Sequence, residues 1–205
     1  GVTVAESGTD PKSKVSALAA FTRIYPSSKS FSQARKAGLR PVFVSNGFAT
    51  RQVLDFLKPV LEGFKVDLKT MQPDHYRELG GKLEPVLDAI EYAHQLGFWV
   101  EIVTLLVPGF NDNTRELEEM AEFICSVSPQ IPWHVTAFHP DYKMRDKSRT
   151  TATQILKAVE IGYQSGLQYV YGGNLPGSLG KYEHTRCHQC QVVLIKRRGF
   201  FIQEY

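Results

Sequence analysis

Short apolar runs alternate along this chain with segments whose apolar residues recur every three to four positions. Pro41 to Ser45 (PVFVS) is a β-rich run ending on Asn46-Gly47, a turn pair. A helical pattern starts near Thr50, with Val53, Leu54 and Leu57 on one side, and stops at Pro59. Phe64 to Leu68 (FKVDL) predicts a second strand. Glu84 to Leu96 predicts a helix, with Val86, Ile90 and Ala93 in register and Gly97 closing it. Phe98 to Val107 is a long apolar strand ended by Pro108-Gly109. Asn113 is a candidate N-cap with Glu116 three residues on, a variant of the capping box, before the stripe Leu117, Met120, Ala121 and Ile124. Trp133–Phe138 predicts a strand, Thr151–Tyr163 a helix and Gln168–Tyr171 a fifth strand, followed by Gly172-Gly173-Asn174.

Five strand–helix alternations with near-continuous apolar strands predict an α/β fold built on a parallel sheet with crossover helices. Residues 1–33 do not share this pattern. They are rich in Ser, Thr and Lys, broken by Pro11 and Pro26, and predict an atypical or poorly structured segment in which Val15–Tyr25 could form a short helix. The expected organisation is therefore 1–33, a barrel-like region over 34–180, and a C-terminal segment over 181–205.

Composition narrows the class. The 205 residues are 42% hydrophobic and 22% charged, which excludes a disordered chain. The net charge of +3 is unevenly spread. Residues 1–40 hold seven Lys/Arg against two Asp/Glu, residues 41–180 hold twelve against seventeen, and residues 181–205 hold five against two. The acidic middle argues against an extended nucleic-acid footprint, although Lys196-Arg197-Arg198 makes a short basic run. No apolar run approaches the roughly 20 residues of a membrane helix, and no secretory leader pattern is visible. Three cysteines do not make a disulfide framework, so a reducing compartment, the cytoplasm, is expected.

In α/β folds the working residues gather at the carboxyl ends of parallel strands. Here those ends offer Ser45, Asn46 and Gly47, then Asp67 and Lys69, then Thr104 and Pro108-Gly109, then His139, Pro140 and Asp141, and last Gly173 and Asn174. This set predicts a small-molecule site on one rim. Each group also has a plainer reading: turn chemistry for Ser45-Asn46-Gly47, an ion pair for Asp67 and Lys69, and a backbone-bonded histidine for His139. Cys187 and Cys190 form a C-x-x-C before the apolar run Val192–Ile195. The pair suits one knuckle of a zinc or iron site, with His184, His188 (poorly placed between the cysteines) or cysteines beyond Tyr205 as further candidate ligands. A redox pair and unligated thiols are the alternatives; the first wants a helix N-terminus, and a strand-like run follows instead.

The strings VFVSNG (42–47), KVDLK (65–69), LLVPGFND (105–112), PWHVTAFHPDYKM (132–144), YVYGGNLPG (169–177) and TRCHQC to RRGF (185–200) resemble, in order and spacing, the radical S-adenosylmethionine (SAM) enzymes of the AmmeMemoRadiSam type. These are relatives of the activating enzymes for pyruvate formate-lyase. The resemblance covers about four-fifths of the chain. It implies a partial (β/α) barrel and an enzyme that uses SAM and a 4Fe–4S cluster to generate a 5′-deoxyadenosyl radical. That radical abstracts hydrogen from a substrate, with a protein substrate one class. By the same resemblance Ser45, Asn46 and Gly47 lie beside the methionine part of SAM, and Asp67 matches a ligand of a monovalent-cation site. Lys69 pairs with the SAM carboxylate, His139 lies near ribose and adenine, and Asn174 belongs to a loop closing the rim. One feature departs from the family. No cysteine precedes Cys125, so the cluster motif is missing and the chain reads as the carboxyl-terminal two-thirds of such an enzyme, trimmed at both ends or rebuilt at the front. That departure motivates an alternative: a degenerate, non-catalytic member that binds a nucleotide or a partner protein.

Overall fold

The computed structural model describes residues 28–142 and 144–205. Residues 28–36 are helical. Then come β1 (Val42–Ser45), α1 (Arg51–Leu57), β2 (Gly63–Asp67), α2 (Pro73–Glu78), α3 (Leu83–Gln95), β3 (Trp99–Leu106) and α4 (Thr114–Val127). These are followed by β4 (Trp133–Ala137), α5 (Ala152–Gln164), β5 (Val170–Gly173), a 3-10 turn (Gly180–Glu183), β6 (Thr185–Arg186), β7 (Val193–Arg198) and β8 (Phe201–Glu204). The strands β1 to β5 form one sheet in sequential order, and the pairs β1–β2, β3–β4 and β4–β5 are parallel. Sequential parallel strands with helical crossovers are the (β/α) barrel pattern, here with five strands where a full barrel has about eight. The expected short helix over Val15–Tyr25 lies outside the described residues, as does most of the segment 1–33. No helix among the described residues is long and apolar enough to cross a membrane.

By internal contacts the chain divides into two compact units, one reaching Leu68 and including Tyr76–Glu101, the other Lys69–His75 with Ile102–Tyr205. The first unit is built around Leu54, Leu57, Phe64, Val66, Val86, Ala89 and Ile90, all buried. Phe31, Phe43, Phe64 and Phe98 form a row with centroid separations of 5.9, 6.4 and 6.4 Å. Such ring pairs add about 0.5–1.5 kcal/mol each beyond their buried area. Thr50 caps α1 by accepting from Val53 N–H, and Gly97 ends α3 in the left-handed conformation, φ +75°.

The second unit packs β3, β4 and β5 against α4 and α5. Trp133 is fully buried, and its indole N–H donates to Thr104 Oγ1 at 3.0 Å. A Cβ at Gly162 would sit 3.0 Å from the Trp133 ring and from Val170 Cγ2, so only glycine lets α5 approach this closely. Beyond β5 the chain forms a small antiparallel sheet, order β6-β7-β8. Buried Glu183 ties that sheet down: its carboxylate accepts from the backbone N–H of Gly177, Leu179 and Gly199.

The helices and strands expected from the pattern are present, with three differences. The fifth strand runs Val170–Gly173 rather than Gln168–Tyr171. Its glycines are strand, not turn, because Leu179 and Ile155 lean into the space a Cβ at Gly172 would fill. The strands β6 and β8, the helix α2 and the helical stretch 28–36 are additions. The reciprocal half of the capping box at Asn113 is replaced. Asn113 Oδ1 accepts from Glu116 N–H as expected, but the Glu116 carboxylate accepts from the Asn113 side-chain amide and from Thr70 and Met71 of another loop.

Candidate functional site

The loop that leaves β2 begins the second unit, and three buried polar side chains hold it. Asn111, 1% exposed, donates through Nδ2 to the carbonyls of Lys69 (2.7 Å) and Leu105 (2.9 Å) and accepts from Val107 N–H (2.7 Å). It thereby joins the backbone of Lys69 to the end of β3. Glu116, also 1% exposed, accepts from the Thr70 hydroxyl, from Met71 N–H at 2.9 Å and from Asn113 Nδ2 at 3.0 Å. Thr70 in turn accepts from Gln72 N–H and lies 3.4 Å from His75 Nδ1, and His75 stacks on Phe110. Burying a carboxylate is costly unless its oxygens are satisfied, and here three donors do so. The result fixes the backbone of Lys69 while its half-buried side chain remains partly open to solvent.

The ends of β4 and β5 meet in the same unit. Buried Thr150 accepts from Phe138 N–H at 3.0 Å and donates to the Leu106 carbonyl, joining the chain after β4 to the end of β3. His139 follows directly and is exposed. Asn174 is in the left-handed conformation, φ +63°, and donates through Nδ2 to the Ala137 carbonyl at 3.3 Å. Of the sequence-predicted residues, Lys69, His139 and Asn174 thus belong to the second unit, Lys69 in its first segment and the other two just past the ends of β4 and β5.

In the first unit Ser45, Asn46 and Gly47 make a tight turn. Ser45 Oγ accepts from Gly47 N–H and Asn46 Oδ1 from Phe48 N–H, both at 3.2 Å. Gly47 is required there: φ is +78°, and a Cβ would lie 2.6 Å from Val66 Cγ1 and 2.8 Å from Val86 Cγ1. Turn chemistry is therefore present at this position. Asp67 is half-buried at the last residue of β2, on the same face as Lys65 by the strand's two-residue period.

The residues that sequence reading passed over are Asn111, Thr70, Glu116, Thr150 and Glu183. Asn111 lies inside the quoted string LLVPGFND, and Glu116 was read only as a capping partner. They sit among other polar residues, as in FNDNT and SRTTAT, so no sequence signal set them apart.

Cys125 lies on α4, and Cys187 and Cys190 sit in the connection between β6 and β7; all three are free thiols. Among the described residues no three His, Cys, Asp or Glu side chains are gathered to hold a metal ion. Each histidine expected as a further ligand has a polar neighbour at one ring nitrogen. His184 Nδ1 accepts from Arg197 N–H at 3.2 Å, and His188 Nδ1 is 3.1 Å from the Tyr169 hydroxyl.

Comparison with known proteins places these features. The chain is 36% identical over 168 residues to an uncharacterized protein of Methanocaldococcus jannaschii, covering 82% of this chain and 49% of that one. It therefore spans about half the length of the curated relative it matches. Its fold is similar to a domain of pyruvate-formate lyase-activating enzyme from Bacteroides vulgatus, with TM-score 0.66 and 18% identity over 85% of this chain and 100% of that one. It is also similar to a radical SAM methyltransferase from Sphaerobacter thermophilus, with TM-score 0.55 and 16% identity over 67% of this chain and 42% of that one. Both likenesses are of fold. The family model of the radical SAM superfamily matches residues 9–124, more than half of the chain, and the chain belongs to that superfamily.

Proposed function

We propose that this chain is the SAM-binding portion of a radical SAM enzyme. The observation that carries this reading is the pinning of Lys69: its carbonyl is fixed by buried Asn111, and the residues after it by buried Glu116. A cation whose backbone is fixed, in the same unit as exposed His139 and Asn174, suits a zwitterionic ligand with a nucleoside moiety. In this reading the Lys69 ammonium pairs with the SAM carboxylate, a charge-assisted contact. His139 packs beside ribose and adenine, and Asn174 holds the loop that follows β5. Ser45, Asn46 and Gly47 offer backbone and small polar groups to the methionine part, with Asp67 at the neighbouring strand end. When bound with a reduced 4Fe–4S cluster, SAM supplies a 5′-deoxyadenosyl radical for hydrogen abstraction, from a protein or a small-molecule substrate. The cofactor carries that chemistry; these residues bind, orient and exclude water.

The cluster does not fit the residues described here. The sequence has three cysteines, none near β1, and no ligand set is gathered among the described residues. No step is assigned to it on this chain. The same observation favours a second reading, a member that binds SAM or another nucleotide, or a partner protein, without radical chemistry.

Calorimetric titration of SAM into the chain tests the binding proposal. Binding is expected, weakened at least tenfold by Lys69→Ala and less by His139→Ala. Equal affinity in wild type and Lys69→Ala, or no binding, would contradict it. Cleavage of SAM under reducing conditions separates the radical reading from the binding-only one.

A further inference from the structure

We propose that the cavity between the start of β5 and β6 holds one ordered water, which bridges Arg186 to Gln168 and so joins the C-terminal sheet to the parallel one. The site is independent of the strand-end reading. Both residues belong to the second unit. Arg186 is the last residue of β6 and pairs with Val193 of β7. Gln168 stands two residues before β5, the edge strand of the parallel sheet, and its N–H donates to the Pro129 carbonyl.

Two polar atoms carry the inference. Arg186 Nε and Gln168 Oε1 are buried, and neither has a hydrogen-bond partner among the described residues. Both side chains line the same cavity. A buried polar group left unpaired is costly, and more so when it carries charge. No Asp or Glu lines the cavity, so the guanidinium meets no carboxylate there. The cavity measures about 10 Å³, close to the space one water molecule needs.

The chemistry of the pair selects the occupant. Arg186 Nε–H is a donor and Gln168 Oε1 an acceptor. An anion would suit the guanidinium but face the negative end of the Gln168 amide. A metal ion would suit Oε1 but face the guanidinium. Water accepts from the first and donates to the second. Buried waters typically make about three hydrogen bonds, and further polar groups line this cavity. His184 Nδ1 accepts from Arg197 N–H, which places the ring proton on Nε2 as another donor. The Tyr169 hydroxyl, 3.1 Å from His188 Nδ1, is also in the lining. Glu183 already anchors the C-terminal sheet through three backbone N–H groups, and the bridge at Arg186 adds a second anchor on β6.

The test reads the water in the wild-type chain. In a crystal structure that resolves ordered solvent, one density peak is expected about 2.7–3.2 Å from both Arg186 Nε and Gln168 Oε1. In solution, NOESY and ROESY spectra of the isotopically labelled chain should show a cross-peak between Arg186 Nε–H and a water that stays for as long as the molecule takes to tumble. Arg186→Lys identifies the signal by removing it. Gln168→Leu, which keeps similar bulk without the acceptor, should abolish the cross-peak to water. Sodium bromide should leave the Arg186 Nε–H shift unmoved. A direct hydrogen bond between Gln168 and Arg186 would overturn the proposal. So would an anomalous bromide signal at the density peak, a saturable bromide shift, or a water cross-peak that arises only by proton exchange. A cross-peak unchanged in Gln168→Leu would count against it equally.

Discussion

Three hydrogen bonds converge on the Asn111 side chain, and its removal would strand the buried Val107 N–H and loosen the part-buried carbonyls of Lys69 and Leu105. An unsatisfied buried group costs about 1–3 kcal/mol. Asn111→Ala is therefore expected to lower unfolding stability by at least about 2 kcal/mol in urea denaturation, and to weaken SAM binding through the released Lys69 backbone. Unchanged stability would show that the loop is held by other means. A pair of glycines separates steric from conformational cost. Gly47 and Gly80 share a left-handed φ, +78° and +76°, but only at Gly47 would a Cβ meet neighbours. Gly80→Ala is expected to cost about 1 kcal/mol from the backbone alone. Gly47→Ala should cost about 1–3 kcal/mol more for overpacking against Val66 and Val86. Equal effects on urea midpoints would contradict the close packing of the turn after β1. At this scale the sequence was only partly legible. Gly47 stood out as a turn residue, whereas Asn111 inside VPGFND had no visible partner until the chain folded.

Among the elements, those with long apolar stripes were readable and those without were not. Helices α3, α4 and α5 run 13, 14 and 13 residues, long enough for the helical period to declare itself. Helix α2 has six residues and buries only Tyr76, so its period never completes two turns. Strands β6 and β8, of two and four residues, lack a buried face to pattern them. Helix α5 carries a full capping box: Thr151 Oγ1 accepts from Gln154 N–H, and Gln154 Oε1 from Thr151 N–H. Thr151→Ala should cost about 1 kcal/mol, readable as a lower thermal midpoint. Glu183 plays the corresponding role for the C-terminal sheet, since its two oxygens collect three backbone N–H groups. Glu183→Ala is expected to accelerate limited proteolysis after residue 184 while protecting the parallel sheet as before. Uniformly faster cleavage throughout the chain would contradict so local a role.

For the molecule as a whole, parallel strands in sequential order and the superfamily match agree on a radical SAM barrel. That much was legible because strand-end motifs recur in a fixed order along the chain. The substrate was not legible, since nothing in the strand-end residues specifies what lies opposite the cofactor. The cysteines set a separate expectation. Reconstitution of this chain with iron and sulfide should yield no 4Fe–4S cluster, judged by its electron paramagnetic resonance signal after reduction; a cluster signal would refute the reading of its cysteines. The most direct test of the central claim is an NMR titration of the isotopically labelled chain with SAM, following every backbone amide. Shifts concentrated at Ser45–Gly47, Lys69–Thr70, His139 and Asn174 are the result this account predicts. Shifts confined to other surfaces, or none at saturating SAM, would contradict it.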